Sequence, residues 1–498
     1  MREKYESLSL AALKDVAKAR GLKGISTMKK ADLVDRMVAE DEKEEAQKAK
    51  TAPVKAEVTK AEVARTPARA EAPRTPVRAE STRTYEKKDA PRYTAVREER
   101  REGPNRPDTR KVVELTPEEI ARLDSGITAN GILEVKDDGF GFIRSDNYMP
   151  GENDVYVAPA QIRRFNLKTG DIIIGNTKVR LQTEKFSALL YIKSVNGFPP
   201  EEIAKRRNFE DMTPIFPHER VHLEVPGGSV ANRIVDLISP IGKGQRGMIV
   251  AQPKVGKTTL LKEIAKSISK NHPDMHMIIL LIDERPEEVT DIKEDVAGPN
   301  VEVIYSTFDE LPEHHKRVSE MVIERAKRLV EQGEDVVILL DSITRLTRAY
   351  NIVTPPSGRT LSGGLDPAAL YMPKRIFGAA RCMRVGGSLT ILATALVDTG
   401  SKMDDVVFEE FKGTGNMELV LDRNIAEKRI FPAIDIMKSG TRREDLLLTQ
   451  DELAAVTNMR RGFSGAKPDE AVESILNMFL RTRSNREFVE YMKKHKFM

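Results

Sequence analysis

The sequence predicts an α/β protein in which a domain built on a parallel sheet follows a small β-barrel and a short helical segment. After Ile241, apolar strands alternate with helices to the end of the chain, a pattern typical of α/β layers. From 116 to about 191, short strand-like runs are separated by glycine, aspartate and asparagine, which favours a five-stranded barrel. A length of 498 residues exceeds one ordinary core, so we expect several domains. The predicted boundaries are 1–44 for a helical domain, 45–111 for a linker, 112–200 for the barrel, 201–240 for a connector and 241–498 for the parallel-sheet domain.

The first 111 residues divide into a helical part and a polar part. Apolar residues recur at helical spacing between Leu8 and Ala39, with a break at Gly21 and Gly24. This pattern predicts two short helices, which form either a small bundle with solvated lysines or a domain that binds nucleic acid. Residues 45–111 contain no Leu, Ile, Phe or Met and carry 18 Lys or Arg against 11 Asp or Glu, so we predict a disordered, basic linker. Its role is either that of a tether or that of a salt-sensitive arm for RNA.

The composition argues for a chain that works away from membranes. Hydrophobic residues make up 40% and charged residues 32%, and no apolar run reaches the roughly 20 residues that a membrane span needs. The first six residues are largely charged, unlike the apolar centre of a signal peptide. Cys382 is the only cysteine, so an internal disulfide is impossible and a reducing compartment is expected. We therefore expect a cytoplasmic protein with no membrane partner.

A loop that contains glycine and lysine lies between a predicted strand and a predicted helix. Residues 251–258 read AQPKVGKT and fit the nucleotide-binding loop pattern, with Ala251 where glycine is commoner. The backbone N–H groups of such a loop and the N-terminus of the following helix form a positive cradle for phosphate oxygens. Lys257 is expected to reach the β- and γ-phosphates of ATP, and the Thr258 hydroxyl to hold Mg²⁺. The predicted nucleotide-binding residues of the loop are Gln252, Pro253, Lys254, Val255, Gly256, Lys257, Thr258 and Thr259.

Two apolar strands further along the chain end in carboxylates. The run 335–341 ends at Asp341, which can bind Mg²⁺ directly or through water. The run 278–283 leads into Glu284, at the end of a strand where ligands of parallel sheets bind. Hydrolysis needs a group that orients and deprotonates water, and Glu284 is the candidate for this general base. The two glutamates that follow it shortly afterwards are better explained as a solvated acidic turn.

Aromatic residues are concentrated in two neighbouring runs of the predicted barrel. Phe140 and Phe142 alternate along one run, so both rings should project from one face, and Tyr156 on the next run can add a third. Exposed rings on a barrel form stacking platforms for single-stranded bases, worth about 1–3 kcal/mol per base. Core packing remains an alternative for one ring of the pair. Both runs are similar to those of cold-shock-like, OB-type oligonucleotide-binding folds, which favours RNA binding. The residues predicted to flank the platform are Arg144, Glu184, Lys185 and Phe186.

Several longer runs narrow the comparison to one family. They are residues 240–247 (PIGKGQRG), 283–290 (DERPEEVT), 341–345 (DSITR), 398–403 (DTGSKM) and 410–417 (EFKGTGNM). Together with the barrel and the phosphate loop, they resemble the Rho family of transcription termination factors from about residue 116 to the C-terminus. The N-terminal helical segment also resembles the N-terminal domain of that family. The chain departs from the family in the insertion at 45–111 and in a slightly longer turn near 295–300.

The resemblance implies a homohexameric ring of RecA-like motor domains that threads RNA through a central channel and binds ATP between subunits. Arg442 corresponds to the arginine finger that enters the site of the neighbouring subunit, and Arg429 is a second candidate at that interface. Phe431 corresponds to the aromatic residue that stacks on adenine. Glu284 corresponds to the catalytic carboxylate of the family, and Arg285 adjoins it.

The same resemblance implies two channel loops and an overall activity. Residues 356–364 and 399–402 correspond to the loops, and Lys402 is the expected phosphate contact. The predicted channel contacts to RNA are Arg359, Thr360, Gly400, Ser401 and Lys402. The implied activity is that of a 5′-to-3′ RNA translocase or helicase driven by RNA-dependent ATP hydrolysis. It would bind nascent single-stranded RNA that is rich in pyrimidines, especially C, and release this RNA from RNA polymerase.

Two other functions are compatible with parts of the sequence. A rotary or secretion-type hexameric ATPase shares the motor fold, but it predicts a barrel without an aromatic platform and an ATPase that is indifferent to RNA. An RNA-binding regulator with a vestigial nucleotide site predicts loss of the phosphate-loop lysine or of the acidic strand ends. Lys257, Glu284 and Asp341 are all present, so an active, RNA-responsive ATPase is the favoured prediction.

Overall fold

The computed structural model describes Lys30, Val34 and residues 96–97, 113–114, 116–181 and 183–494. Before residue 112, the described residues are Lys30 and Val34, which are helical, and one short strand. The predicted helical domain and the predicted disordered linker otherwise lie outside the described residues. That strand, β1 (Val96–Arg97), pairs antiparallel with β2 (Val113–Glu114). No helix in the described ranges is both long enough and apolar enough to cross a membrane. Residues from Asp89 onward form one compact unit, which holds the barrel and the motor domain.

The barrel fills the first part of this unit. Its elements are α1 (Pro117–Leu123), β3 (Asp124–Val135), β4 (Gly141–Arg144), β5 (Val155–Val157), α2 (Pro159–Arg164), β6 (Ile172–Lys178), β7 (Ser187–Val195) and α3 (Pro200–Ile203). The strands close in the order β3, β4, β5, β7, β6, and their interior is filled by residues such as Leu133, Val157 and Ile173, each 0% exposed. The predicted barrel is confirmed. Strand β3 is longer than the predicted run because its first part pairs with β6 and its last residues with β4.

The motor domain is built on a second, mixed sheet. Its strands are β8 (Pro214–Ile215), β9 (Arg246–Ala251), β10 (His276–Glu284), β11 (Val301–Thr307), β12 (Asp335–Asp341), β13 (Arg381–Met383), β14 (Ser388–Leu396), β15 (Met417–Leu421) and β16 (Gly440–Thr441). Strands β11, β10, β12, β14, β9 and β15 run parallel in that order, and β16, β13 and β8 pair antiparallel. Because the parallel strands point the same way, their carboxyl ends meet at one edge. The phosphate loop, Glu284 and Asp341 all lie at that edge.

Helices cover both faces of this sheet. They are α4 (Val230–Ile238), α5 (Lys257–Asn271), α6 (Pro286–Asp295), α7 (Pro312–Glu331), α8 (Ile343–Val353), α9 (Tyr371–Gly378), α10 (Lys402–Lys412), α11 (Arg423–Glu427), α12 (Gln450–Gly462), α13 (Pro468–Leu480) and α14 (Asn485–Lys494). Short 3-10 turns occupy Phe209–Asp211, Ser362–Gly364, Pro367–Leu370 and Glu444–Leu446. Alternate residues of β10 enter opposite cores, with Ile279 on one side and Ile278 on the other. Val235 of α4 joins the first core, so part of the predicted connector packs within the motor domain.

The barrel is seated on α7 and β11 of the motor domain. Gly170 has a φ of 96° and lies so close to α7 that a Cβ there would stand 2.4 Å from the carbonyl carbon of Glu324. Only glycine fits such an approach. Asn147 donates to the backbone oxygen of Tyr305 at 2.7 Å and accepts from its N–H at 3.0 Å. These contacts fix the barrel against the motor and therefore fix the direction in which its outer face points.

Candidate functional site

The phosphate loop joins β9 to α5. Val255 is buried and anchors the loop, whereas Lys254 and Gly256 adopt left-handed backbone conformations, with φ of 67° and 89°. These turns bring the chain into α5 at Lys257, and the first N–H groups of a helix have no partners within it. The predicted nucleotide-binding residues therefore surround a helix N-terminus, which is an anion-binding arrangement.

Lys257 lies between the two carboxylates predicted from separate strands. Its Nζ is 2.5 Å from Asp341 Oδ1 and 3.2 Å from Glu284 Oε1. Thr394, on the neighbouring β14, donates a hydrogen bond to Asp341 at 2.7 Å. Glu284 is 4% exposed and Asp341 is 1% exposed. The carboxyl ends of β10 and β12 and the start of α5 thus gather one cation and two buried anions at the mouth of the phosphate loop.

Burial and like charge set the protonation of this cluster. Burial raises the pKa of Glu284 and the nearby Asp341 raises it further, although Lys257 and Arg345 oppose the shift. Burial alone would lower the pKa of Lys257, but the two carboxylates outweigh it and raise that pKa. Lys257 therefore stays charged. Glu284 holds a proton more readily than an ordinary glutamate does, as suits a general base.

Arg345 belongs to this cluster, although the sequence analysis does not single it out. Its guanidinium lies 3.2 Å from the Asp283 carboxylate and 3.8 Å from Glu284, and it also donates to the Asp283 carbonyl. Arg285, the arginine predicted to act beside Glu284, is 66% exposed. The sequence does contain a signal for Arg345, because this residue lies on the first turn of α8, directly after the strand that ends at Asp341.

Phe431 lies beside the phosphate loop. A Cβ added at Gly256 would lie 3.9 Å from a ring carbon of Phe431. The ring is 52% exposed, so one face is open for stacking. Gln252 of the same loop donates to Asp398 at 2.5 Å and accepts from the backbone N–H of Arg423 at 3.0 Å. These bonds tie the loop to the segments that flank it.

The two predicted arginine fingers lie on the surface of the motor domain. Arg442 follows β16, and its backbone N–H donates to Asn416 at 2.8 Å. It lines a cleft of about 600 Å³ together with Lys438 and Glu444. Arg429 is also exposed and has a left-handed backbone, with a φ of 62°.

The structure brings the two predicted channel loops together. Gly363 of the first loop packs so closely on the second that a Cβ there would stand 2.5 Å from the backbone nitrogen of Met403. Asp366 holds the first loop by accepting hydrogen bonds from the backbone and the hydroxyl of Ser357, at 2.6 and 2.7 Å. Of the predicted RNA contacts on these loops, Ser401 is half-buried and the others are exposed, namely Arg359, Thr360, Gly400 and Lys402.

The aromatic residues of the barrel form one cluster on its outer face, which we call the platform. The ring centroid of Phe142 lies 5.7 Å from that of Phe140, 6.0 Å from Tyr156 and 5.1 Å from Phe186. Phe186 joins the cluster because β5 and β7 pair in parallel. Lys185 Nζ lies 5.2 Å from the Phe186 ring. All four rings are partly exposed, which favours a stacking surface over core packing.

Arg144 lies beneath the platform rather than at its edge. It is 4% exposed, its guanidinium is 4.8 Å from the Phe142 ring, and it pairs with Glu134 and Asp154. Asp154, which the sequence analysis does not assign, keeps Oδ1 without a hydrogen-bond partner among the described residues. A buried acceptor without a partner is uncommon in proteins. Glu184, by contrast, accepts a hydrogen bond within its own loop.

Comparisons with known proteins match both domains. Residues 129–201 match the family model "Rho termination factor, RNA-binding domain", and residues 231–441 match "ATP synthase alpha/beta family, nucleotide-binding domain". Transcription termination factor Rho of Pseudomonas aeruginosa is 55% identical over 379 residues, which cover 75% of this chain and 90% of that protein. The chain belongs to the Rho family. The Rho proteins of Thermotoga maritima and Bacillus subtilis are 57% and 55% identical and cover 74% and 73% of this chain, with 86% and 84% of their own lengths matched.

Membership of the Rho family confirms the predicted combination of an OB-type RNA-binding barrel and an ATPase domain that binds nucleotide. It does not favour the rotary or secretion-type alternative, because the barrel matches the RNA-binding domain of Rho itself. Among solved structures, an ATPase from the type III secretion system of pathogenic bacteria aligns with a TM-score of 0.47 at 21% identity. That alignment covers 64% of this chain and 93% of the other.

Proposed function

We propose that the chain is an RNA-dependent ATPase that moves 5′ to 3′ along RNA, as a helicase, and releases nascent transcripts from RNA polymerase in the cytoplasm. The observation that carries the proposal is that one compact unit holds both a partly exposed aromatic platform and a lysine between two buried carboxylates. A platform alone would only bind RNA, and the charge cluster alone would only hydrolyse nucleotide. Their combination supports hydrolysis that is coupled to RNA.

The geometry supports a division of roles at the nucleotide. The phosphate loop binds the phosphates through its backbone, and Lys257 contacts the β- and γ-phosphates. Glu284 accepts the proton of the attacking water, and Arg345 holds the Glu284 carboxylate in place. Phe431 stacks on adenine. Arg285, which is exposed in the protomer, is proposed to act only once a neighbouring subunit covers the site.

The residues present fit a bound Mg²⁺. Thr258 is the second residue of α5 and Asp341 is the last residue of β12. Their hydroxyl and carboxylate oxygens are hard ligands of the kind that Mg²⁺ prefers. The ion would neutralise charge on the phosphates. Lys257 supplies a second positive charge for the phosphates, and it contacts the same Asp341 carboxylate.

Assembly into a homohexamer completes the proposed site. Arg442 and Arg429 are both exposed. They are proposed to enter the site of the next subunit, which places ATP between protomers. An arginine supplied in this way makes hydrolysis depend on ring geometry. The channel loops are proposed to grip the RNA backbone, with Lys402 as a point charge that reads no sequence.

The surroundings of the platform support a preference for C-rich RNA. Stacking on Phe140, Phe142 and Tyr156 accepts any base. Asp154 Oδ1, in contrast, is an acceptor without a partner among the described residues. Cytosine carries an amino donor where uracil carries a carbonyl oxygen, so an unpaired acceptor discriminates between them.

Steady-state ATP hydrolysis with and without polycytidine tests the proposal. We expect polycytidine to stimulate the wild type, and Lys257→Ala to be inactive in both conditions while it still retains polycytidine on filters. Lys262→Ala is the matched control, because Lys262 lies on the same helix and pairs with Asp291 at 2.8 Å, outside the cluster. A wild type that hydrolyses ATP equally fast with and without polycytidine contradicts the proposal.

A further inference from the structure

Glu134 joins the platform to the motor domain. It lies on β3 directly opposite Phe142 on β4. Its Oε2 accepts hydrogen bonds from Arg144, at 2.8 and 2.6 Å, and from Arg317 of the motor domain at 2.5 Å, while Oε1 accepts one from Lys136 at 2.6 Å. Burial alone would raise the pKa of Glu134, but the three cations lower it to about 2. The carboxylate is therefore charged at neutral pH and is shared between two domains.

Arg144 is shared in turn between Glu134 and the platform. Its guanidinium lies 4.8 Å from the centre of the Phe142 ring, which is half-buried. Its Nε and Nη2 donate to Glu134 and its Nη1 donates to Asp154, so a base or phosphate that binds at this ring has to compete with these carboxylates for its N–H groups. Arg144 and Arg317 donate to the same oxygen of Glu134. When one of these two bonds is lost, the remaining arginine is therefore bound more strongly.

Arg317 lies near the start of α7, and the start of α7 is bonded to the catalytic strand. In the turn before this helix, the Phe308 N–H donates to the Glu284 carbonyl at 3.2 Å. On the helix itself, His315 bonds to the Ser306 hydroxyl of β11 at 2.7 Å, and β11 pairs with β10, which ends at Glu284. A shift of the first turns of α7 therefore acts on the backbone that carries the general base.

We propose that Arg317 is a positioning residue through which RNA on the barrel controls ATP hydrolysis in the motor domain. A base on the platform draws Arg144 away from Glu134, Glu134 then attracts Arg317 more strongly, and α7 moves against β11 and Glu284. The inference rests on the proposed function, since it needs an ATPase that responds to RNA. The same movement is proposed to change nucleotide binding as well. Coupling between two binding steps is reciprocal, so nucleotide in the motor domain then changes the affinity of the barrel for RNA.

The variant Arg317→Gln removes the charge and keeps a side chain that can form hydrogen bonds. We expect its ATPase rate without RNA to equal that of the wild type. Its polycytidine affinity without nucleotide should fall, because Glu134 then binds Arg144 more firmly, so stimulated rates are compared at saturating polycytidine. The rate with polycytidine should fall about 2- to 30-fold. Arg317→Lys restores the charge and should recover the stimulation. Lys374→Gln is the matched control, because Lys374 pairs with Glu410 at 2.6 Å within the motor domain and is 36% exposed, close to the 30% of Arg317.

The reverse direction gives a second readout that a merely structural role would not move. Filter binding of polycytidine is measured with and without a non-hydrolysable ATP analogue. The analogue should change the affinity of the wild type and of Lys374→Gln, and leave the affinity of Arg317→Gln unchanged.

Three results overturn the inference, and they differ in what else they affect. If Arg317→Gln is stimulated as strongly as the wild type, Arg317 carries no coupling and the proposed function stands. If its rates with and without RNA fall by the same factor, the residue is structural. A wild type that polycytidine does not stimulate overturns the proposed function, and the inference with it.

Discussion

The barrel and the motor domain each enclose a glutamate, half-buried in the barrel and buried in the motor domain, but in opposite surroundings. Glu134, beneath the platform, is surrounded by three cations, which hold its pKa at about 2 in spite of burial. Glu284, beside the phosphate loop, shares Lys257 with a second carboxylate, so burial and Asp341 raise its pKa. One residue type therefore stays charged in one site and takes up a proton more readily in the other. The charges around a buried carboxylate, rather than its identity, decide its role.

The two sites also differ in how they are assembled. The platform is built mainly from one pair of adjacent strands, with Phe142 opposite Tyr156 in the β4–β5 register. The nucleotide site collects Glu284 and Asp341 from the ends of β10 and β12, which are neighbours only in the folded sheet. Lys257 comes from the start of α5, which follows β9. It is also proposed to need a residue of a second subunit. The platform should therefore tolerate changes in assembly that abolish hydrolysis.

The largest expected effect tests whether the motor site, unlike the platform, needs two subunits. Arg442→Ala should lower the polycytidine-stimulated rate by about 10³- to 10⁵-fold, because an arginine finger stabilises charge in the transition state. Its polycytidine affinity on filters should not change. Arg443→Ala is the control, since this neighbouring arginine pairs with Asp445 at 3.0 Å.

Mixing two inactive variants decides whether Arg442 acts between subunits. Assemblies of Arg442→Ala with Glu284→Gln contain interfaces in which an intact Glu284 faces an intact Arg442. Activity should reappear in the mixture if the finger enters the neighbouring site. A mixture as inactive as its components would place Arg442 in the site of its own subunit.

The second effect concerns Glu284 as a proton acceptor. Glu284→Gln should lower the rate by about 10²- to 10⁴-fold, the usual contribution of a general base, while ATP still binds. Because burial and Asp341 raise its pKa, Glu284 becomes protonated at a higher pH than an ordinary glutamate, whose pKa is 4.5. The rate of the wild type should therefore fall, as the pH is lowered, while the pH is still above 4.5. Glu287→Gln, at the exposed start of α6, should keep the pH profile of the wild type. An equal loss of rate in that variant would remove the assignment of Glu284.

The third effect is confined to the barrel. Phe142→Ala should weaken binding of single-stranded, C-rich RNA by about 1–3 kcal/mol, the value of one base stack. ATP hydrolysis without RNA should stay at the wild-type rate. Phe198→Ala tests the specificity, because Phe198 is an exposed ring beyond the far end of β7. Equal affinities of Phe142→Ala and the wild type, titrated at one salt concentration, would remove the platform.

The smallest effect tests the anion beneath the platform. Glu134→Gln leaves three cations without their carboxylate and should lower the free energy of unfolding at pH 7 by about 1–3 kcal/mol. The pKa of Glu134 is depressed in the folded chain, so its stabilisation is present above pH 4.5 and is lost as the pH falls towards about 2. The free energies of unfolding of the wild type and of Glu134→Gln are measured with urea across that pH range. The difference between them should shrink as the pH falls. A gap that is independent of pH would mean that the charge of Glu134 is not what stabilises the junction.

Much of the fold and of both sites is predictable from neighbouring residues. The phosphate loop is a contiguous run between a strand and a helix, and the structure confirms both elements. Predictions were less complete where a side chain meets a distant partner. Arg144 was expected to flank the platform, yet it is buried beneath it, and Arg345 rather than Arg285 contacts Glu284. Neither outcome follows from spacing along the chain.

The sequence by itself determined which chemistry is present, because apolar periodicity, a loop that can cradle phosphate and closely spaced aromatic rings are local properties of the chain. Only the tertiary structure decided which charges meet, as the pair of Glu134 and Arg317 shows. These two residues are separated by 183 positions, and they meet because the barrel docks on α7. The physical reason is that an ion pair depends on distance in space, which local patterns do not encode, whereas the elements that carry its residues depend on the chain immediately around them.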